Sequence, residues 1–200
     1  MLINVLAYVL VVNAAQVKAY FERVASEWDA MRLAWYDERV IDELAVRARV
    51  RRSSTVLDVG TGTGFVAAGL APRVAGVVAV DHARAILDVA AGNLANLGIA
   101  NVDLREADLV SLPLSDDSVD AAVANMVLHH AEDPAAMLSE MTRVTRPGGW
   151  VAVTDEVEHR YEWMRAEHAD VWLGFSEDQV AGFFGAARLR RYGYAPLGMQ

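Results

Sequence analysis

The chain has 200 residues and not one cysteine, which excludes a disulfide framework and any mechanism that runs through a thiolate. It is also short of cations, with 18 Lys and Arg against 27 Asp and Glu and a net charge of −9. Phosphate binding needs a basic face that releases counterions, so neither nucleic acid nor an anionic membrane is expected as a partner. The basic cluster from Arg47 to Arg52 falls where a helix C-terminus favours cations and reads as a solvated helix end. The apolar run from Met1 to Val12 is too short to cross a bilayer and lacks the positive start of a secretory signal. No membrane span is therefore expected, and the protein reads as soluble and cytoplasmic. What is abundant is apolar material, 54% of the chain, enough for one sizeable core and too little for two ordinary α/β domains.

The most telling stretch is Val56-Leu57-Asp58-Val59-Gly60-Thr61-Gly62-Thr63-Gly64-Phe65. An aliphatic strand ends beside an acid, and three glycines follow at alternate positions. Glycine permits positive φ and removes the Cβ that would hold a ligand off the backbone, so the turn can wrap closely around a small polar group. The nicotinamide fingerprint G-x-G-x-x-G would need a glycine where Phe65 stands, whereas D-x-G-x-G-x-G is met throughout. A second buried-type strand, Val77 to Val80, ends at Asp81, near the spacing at which an acid accepts ribose hydroxyls in a βαβ nucleotide site. A third, Val102 to Glu106, is followed by Asp108, placed to accept from an adenine amino group.

These motifs resemble the S-adenosylmethionine (SAM) loop and flanking acids of class I methyltransferases, in the branch that includes ubiquinone and menaquinone C-methyltransferases. The resemblance spans roughly residues 17 to 190. Leu112-Pro113-Leu114, Ser118 to Asn125, Leu128-His129-His130 and Arg146-Pro147-Gly148-Gly149 match that branch in order and spacing. It implies a doubly wound, Rossmann-like α/β fold, a mostly parallel sheet of six or seven strands with helices on both faces and an N-terminal helical cap. It also implies that Gly60, Gly62, Gly64, Asp81 and Asp108, with the adjoining His82 and Leu109, bind SAM. Asp58 would support the methionine ammonium and Asn125 would line the methionine end. S-adenosylhomocysteine is then the expected product.

The remaining pattern divides one domain, 1–200, into an apolar segment 1–15, a helical cap 16–52, a cofactor-binding core 53–156, a lid insertion 157–175 and a C-terminal helix and strand 176–200. In the cap, Val17, Tyr20, Phe21, Val24, Trp28, Met31 and Trp35 recur at helical spacing as one apolar stripe. By the resemblance, Tyr20, Trp28 and Tyr36 wall the substrate site. Asp133-Pro134 predicts a helix start, and Pro147-Gly148-Gly149 its end before a fifth strand at Trp150 to Thr154. Ser176 and Gln179 predict a capping box opening a helix to about position 187. Arg188 to Tyr194 reads as strand six, and nothing after Pro196 resembles a seventh.

Methyl transfer needs no protein nucleophile, since the sulfonium activates its own methyl group and alignment is the main catalytic factor. An acceptor that must lose a proton would gain from a base, for which His129, His130 and Asp155 are the candidates. Glu156, His159 and His168 lie near the same edge. No H-x-x-x-H spacing supports a metal, and none is expected. The insertion from Glu158 to Phe175 is rich in aromatics and resembles a segment of methyltransferases linked to metalloid metabolism. His159 and Trp163 within it are substrate-binding candidates, while arsenite is an unlikely acceptor because no thiolate is present to hold it.

Two functions follow. One is transfer of methyl from SAM to a small organic acceptor by in-line displacement. The other is a non-catalytic SAM-binding regulatory or scaffolding protein, suggested by the apparently missing seventh strand. A sheet without that strand leaves edges open. The segment from Ile3 to Val12 is long enough to pair there, within its own chain or exchanged across a homodimer.

Overall fold

Runs of β-branched and aliphatic residues alternate along the chain with 3.6-period apolar stripes, the pattern of a parallel sheet covered on both faces. The computed structural model describes residues 12–198, so the strand expected over Ile3 to Val12 lies almost wholly outside the described residues. Helices α1 (Ala14–Val24), α2 (Trp28–Met31) and α3 (Arg39–Arg47) precede the sheet. Then come β1 (Thr55–Val59), α4 (Phe65–Leu70), β2 (Gly76–Asp81), α5 (Arg84–Asn96), β3 (Val102–Glu106) and β4 (Val119–Asn125). The chain continues through α6 (Pro134–Val144), β5 (Thr145–Thr154), α7 (Trp163–Glu167) and α8 (Glu177–Ala186).

The strands are parallel in the order β3-β2-β1-β4-β5. Alternate residues face opposite layers: Val56, Ala121 and Val123 pack with α3 and α4, while Leu57, Val59, Ala122 and Ala124 pack with α6. The chain order reverses between β1 and β4. Loops leaving those two neighbours diverge, which opens a crevice at the carboxyl edge of the sheet.

Asp133 Oδ1 accepts the Ala136 N–H ahead of Pro134, and Ser176 with Gln179 forms the expected capping box. Three expectations need correction. The sheet has five strands among the described residues, where six or seven were expected. Arg188 to Tyr194 forms no strand: Arg188 and Arg191 take left-handed backbone, with φ 59° and 60°, so the chain cannot extend. Finally, α6 ends at Val144 and β5 begins at once, Pro147-Gly148-Gly149 lying inside it where pairing jumps from Val119–Thr145 to Ala121–Trp150.

The apolar stripe of the cap is also interrupted. Val17, Tyr20, Phe21 and Val24 are buried along α1, but the helix turns before Trp28, and Trp28, Met31 and Trp35 are half-buried on separate short pieces. That turn bends the cap over the crevice. The insertion after β5 closes on itself: Glu158 N–H donates to the Phe175 carbonyl and Phe175 N–H to that of Glu156. Gly174 permits this closure at φ 68°, where a Cβ would meet the Val157 carbonyl oxygen at 2.3 Å.

Candidate active site

A cavity of about 860 Å³ occupies the crevice, within the range of pockets that enclose a drug-sized ligand. Its floor is the glycine loop. Gly60, Gly62 and Gly64 all have positive φ, at 67°, 55° and 82°. A Cβ on Gly60 would stand 2.3 Å from Val127 Cγ2, so the loop presses directly on the chain leaving β4. Gly62 faces the Trp28 indole, whose Nε1 would lie 3.5 Å from an added Cβ. Gly64 does not line the cavity but starts α4 from the left-handed region.

Asp81, at the end of β2, is buried and accepts the N–H of Gly62 at 2.9 Å through one oxygen and that of Ala83 at 3.0 Å through the other. It thus holds the loop in place and still presents lone pairs to the cavity it lines. Burial raises its pKa, against the pull of His82 and of these N–H donors. His82 beside it lines the cavity with a buried Nε2 that has no hydrogen-bond partner among the described residues. Asp58 is fully enclosed, accepts the Thr61 hydroxyl at 2.7 Å, and is pushed up to about 7 by burial, with the Asp81 charge adding to the effect.

Asp108, Leu109 and Asn125 line the same cavity. The Asn125 carbonyl accepts the Thr154 hydroxyl at 2.7 Å, which fixes its amide orientation. Overhead, Trp28 and Tyr36 form part of the wall. Burial raises the Tyr36 phenol to about 12, so it stays protonated as a donor. Asp29, which the sequence pattern did not single out, ties the cap to the floor: it accepts the Thr63 hydroxyl at 2.7 Å and the Asn93 amide at 2.9 Å.

The two histidines after β4 differ. His130 lines the cavity, and its Nδ1 lies 3.2 Å from the Ala169 carbonyl. A carbonyl can only accept, so Nδ1 carries the proton and Nε2 bears the lone pair. Burial and the neighbouring His129 hold its pKa well below the ordinary value. His129 lies beneath, its Nδ1 2.7 Å from Asp155 Oδ1. Burial opposes its protonation, but Asp155, Asp170 and Glu156 together outweigh that and raise it to about 9. Asp155 also accepts the N–H groups of Leu128 and Glu156, and neither it nor His129 lines the large cavity.

A smaller cavity adjoins it, sharing Trp28, Tyr36, Met126 and His130 and reaching His129, Glu156, His168 and Asp170. Tyr20 is set back from the large cavity and pairs with His168 Nδ1 at 3.2 Å. His159 is hydrogen-bonded to Glu156 at 2.8 Å, and Trp163 is 46% exposed with its ring 5.6 Å from that of His168. The insertion is fastened to the β4 exit by Val171 and Trp172, whose N–H groups both donate to the His129 carbonyl.

Residues 57–153 match the family described as "Methyltransferase domain", in agreement with the parallel sheet, glycine loop, strand-end acids and covered cavity that the resemblance to class I SAM-dependent methyltransferases implies. The chain is 33% identical over 143 residues to the demethylmenaquinone methyltransferase of Clavibacter sepedonicus, covering 70% of this chain and 58% of that protein. It is 32% identical over 145 residues to the biotin biosynthesis bifunctional protein BioHC of Teredinibacter turnerae, covering 67% and 25% respectively. The chain thus spans less than two thirds of either relative. Among solved structures, a SAM-dependent methyltransferase from Aquifex aeolicus superposes with a TM-score of 0.67 at 26% identity, over 83% of this chain and 87% of that one. No helix among the described residues is long and apolar enough to cross a membrane.

Proposed function

We propose that the chain transfers a methyl group from SAM to a small organic acceptor in the cytoplasm. The observation that carries this reading is the glycine loop, hydrogen-bonded to Asp81 and walling a cavity with an unpartnered His82 Nε2. SAM supplies the chemistry, a methyl group made electrophilic by its sulfonium. Asp81 would accept the ribose hydroxyls, Asp108 the adenine amino group, and Asp58 with Asn125 would receive the methionine end. The loop glycines admit the cofactor against bare backbone, and Leu109 and His82 flank the nucleoside. Trp28 and Tyr36 of the cap exclude water from above.

The acceptor would enter beside the lid, where the smaller cavity meets the larger one. His130, which lines both cavities, would prepare the acceptor for attack, with His129 behind it and Asp155 acting through His129. Tyr20, His159 and Trp163 support the wall of the insertion rather than the cofactor floor. The similarity to a demethylmenaquinone methyltransferase and to a SAM-dependent methyltransferase structure supports catalysis over the non-catalytic alternative. The test is S-adenosylhomocysteine release against a panel of phenols, enols, amines and carboxylates. Turnover above the hydrolytic background with at least one class is expected; SAM binding without turnover across the panel would return the scaffolding alternative.

A further inference from the structure

Asp170 is the most anomalous charged residue of the site. It is completely buried, and neither carboxylate oxygen has a hydrogen-bond partner among the described residues. Buried carboxylates are otherwise paired, hydrogen-bonded or coordinated to a cation. Its nearest candidate partner, His129 Nε2, is 3.8 Å away, too far for a hydrogen bond. The insertion nevertheless holds Asp170 firmly there, through Ala169, Val171 and Trp172, all bonded to the His129-His130-Ala131 turn.

The donor atoms around it have the composition and orientation of a metal site. One ligand atom from each of His129, His130 and Asp170 lies within 4.8 Å of the others. Ligands about 2.0–2.2 Å from one tetrahedral zinc-sized ion stand about 3.3–3.6 Å apart. His129 Nε2 and Asp170 Oδ1, at 3.8 Å, are close to that spacing, and the set as a whole would close by up to about 1.5 Å around an ion. Both imidazoles are already oriented. His129 donates through Nδ1 to Asp155, and His130 through Nδ1 to the Ala169 carbonyl, which leaves Nε2 of each to face an ion; the Nε2 proton of His129 would be released as the ion binds. A second-sphere carboxylate or carbonyl on the far nitrogen is the usual support of a metal-bound histidine. Glu156 and His159 form a second set with the same Asp170; there the two are hydrogen-bonded to one another at 2.8 Å, a bond that binding an ion would have to break.

We propose that His129, His130 and Asp170 bind one divalent first-row transition ion at the junction of the two cavities. The ion keeps an open position toward the acceptor side, where it would hold an oxygen or nitrogen of the methyl acceptor. Two histidines and one carboxylate with an open position match the ligand sets of zinc and non-haem metal sites. The sequence expectation of no metal rested on the missing H-x-x-x-H spacing. The three ligands instead come from two separate loops that the fold brings together. The acceptor-side role rests on the methyl-transfer reading; the ion site itself does not.

The experiment uses untagged, chelator-stripped full chain titrated with Co²⁺ and, separately, Zn²⁺, followed by visible absorption and equilibrium dialysis, with SAM affinity measured in parallel. One ion per chain is expected, with d–d bands that mark nitrogen and oxygen ligation. Asp170→Asn should weaken the ion at least a hundredfold. Asp155→Asn, acting through His129, should weaken it about ten- to a hundredfold. His159→Asn should leave the spectrum unchanged. Wild-type protein that binds SAM but takes up neither ion would overturn the proposal, whether or not Asp170→Asn folds. Loss of the ion in His159→Asn would overturn the ligand assignment. Failure to bind SAM with normal Co²⁺ uptake would strike the methyl-transfer reading and leave the site standing.

Discussion

The Asp29 carboxylate accepts the Thr63 hydroxyl at 2.7 Å, so the helical cap is latched to the glycine loop that it covers. The Asn93 amide shares the same carboxylate. Asp29 is partly exposed, so screening reduces these charge-assisted bonds to about 1 kcal/mol together. Asp29→Ala should raise the SAM dissociation rate about fivefold and speed proteolysis within the cap. Stopped-flow release and limited digestion measure both. An unchanged rate would mean that the cap stays closed by aromatic packing alone.

The glycines are not equivalent. Gly60 and Gly62 both hold positive φ, which costs a residue with a Cβ about 1–2 kcal/mol. At Gly60 the new Cβ also meets Val127 at 2.3 Å, whereas at Gly62 the nearest atom is 3.5 Å away. Overpacking adds about 1–3 kcal/mol. Urea denaturation should therefore show Gly60→Ala clearly less stable than Gly62→Ala. Gly62→Val, folded but crowding Trp28 and the floor, should lose SAM binding.

Asp58 sets a pH dependence. In the ligand-free protein burial holds it near 7, so below that pH a methionine ammonium must displace a proton. SAM affinity should fall by up to about tenfold per pH unit as the pH drops below 7, with proton release on binding. The ligand-free fold shows the opposite trend. Its raised pKa stabilises it at low pH, and that contribution is lost as pH rises from 3.8 through about 7. Asp58→Asn should flatten both profiles, as calorimetry in buffers of different ionisation enthalpy would show.

The glycine loop was legible because its geometry is local. Alternating glycines, a strand-end acid at Asp81 and caps at Asp133 and Ser176 act over a few residues, and the structure places them as their spacing demands. Strand six was misread for the same reason. Leu189, Tyr192 and Tyr194 look strand-like in isolation, but left-handed Arg188 and Arg191 break the run and no strand among the described residues pairs with it. Asp29 and Asp170 could not be found locally. Each acquires its meaning from a segment distant in the chain, the glycine loop in one case and the β4 exit in the other. An acid between the apolar Ala169 and Val171 was the one available signal at Asp170.

The central claim is that this cavity binds SAM through Asp81. Isothermal titration of the wild type with SAM should give one site per chain. Asp81→Ala removes charge-assisted bonds of about 1.5–3 kcal/mol, so its affinity should fall about ten- to a hundredfold. Because Asp81 also holds the Gly62 and Ala83 N–H groups, the variant should melt lower as well. A wild-type protein that binds no SAM, or an Asp81→Ala variant that binds it as tightly as the wild type, would contradict the account.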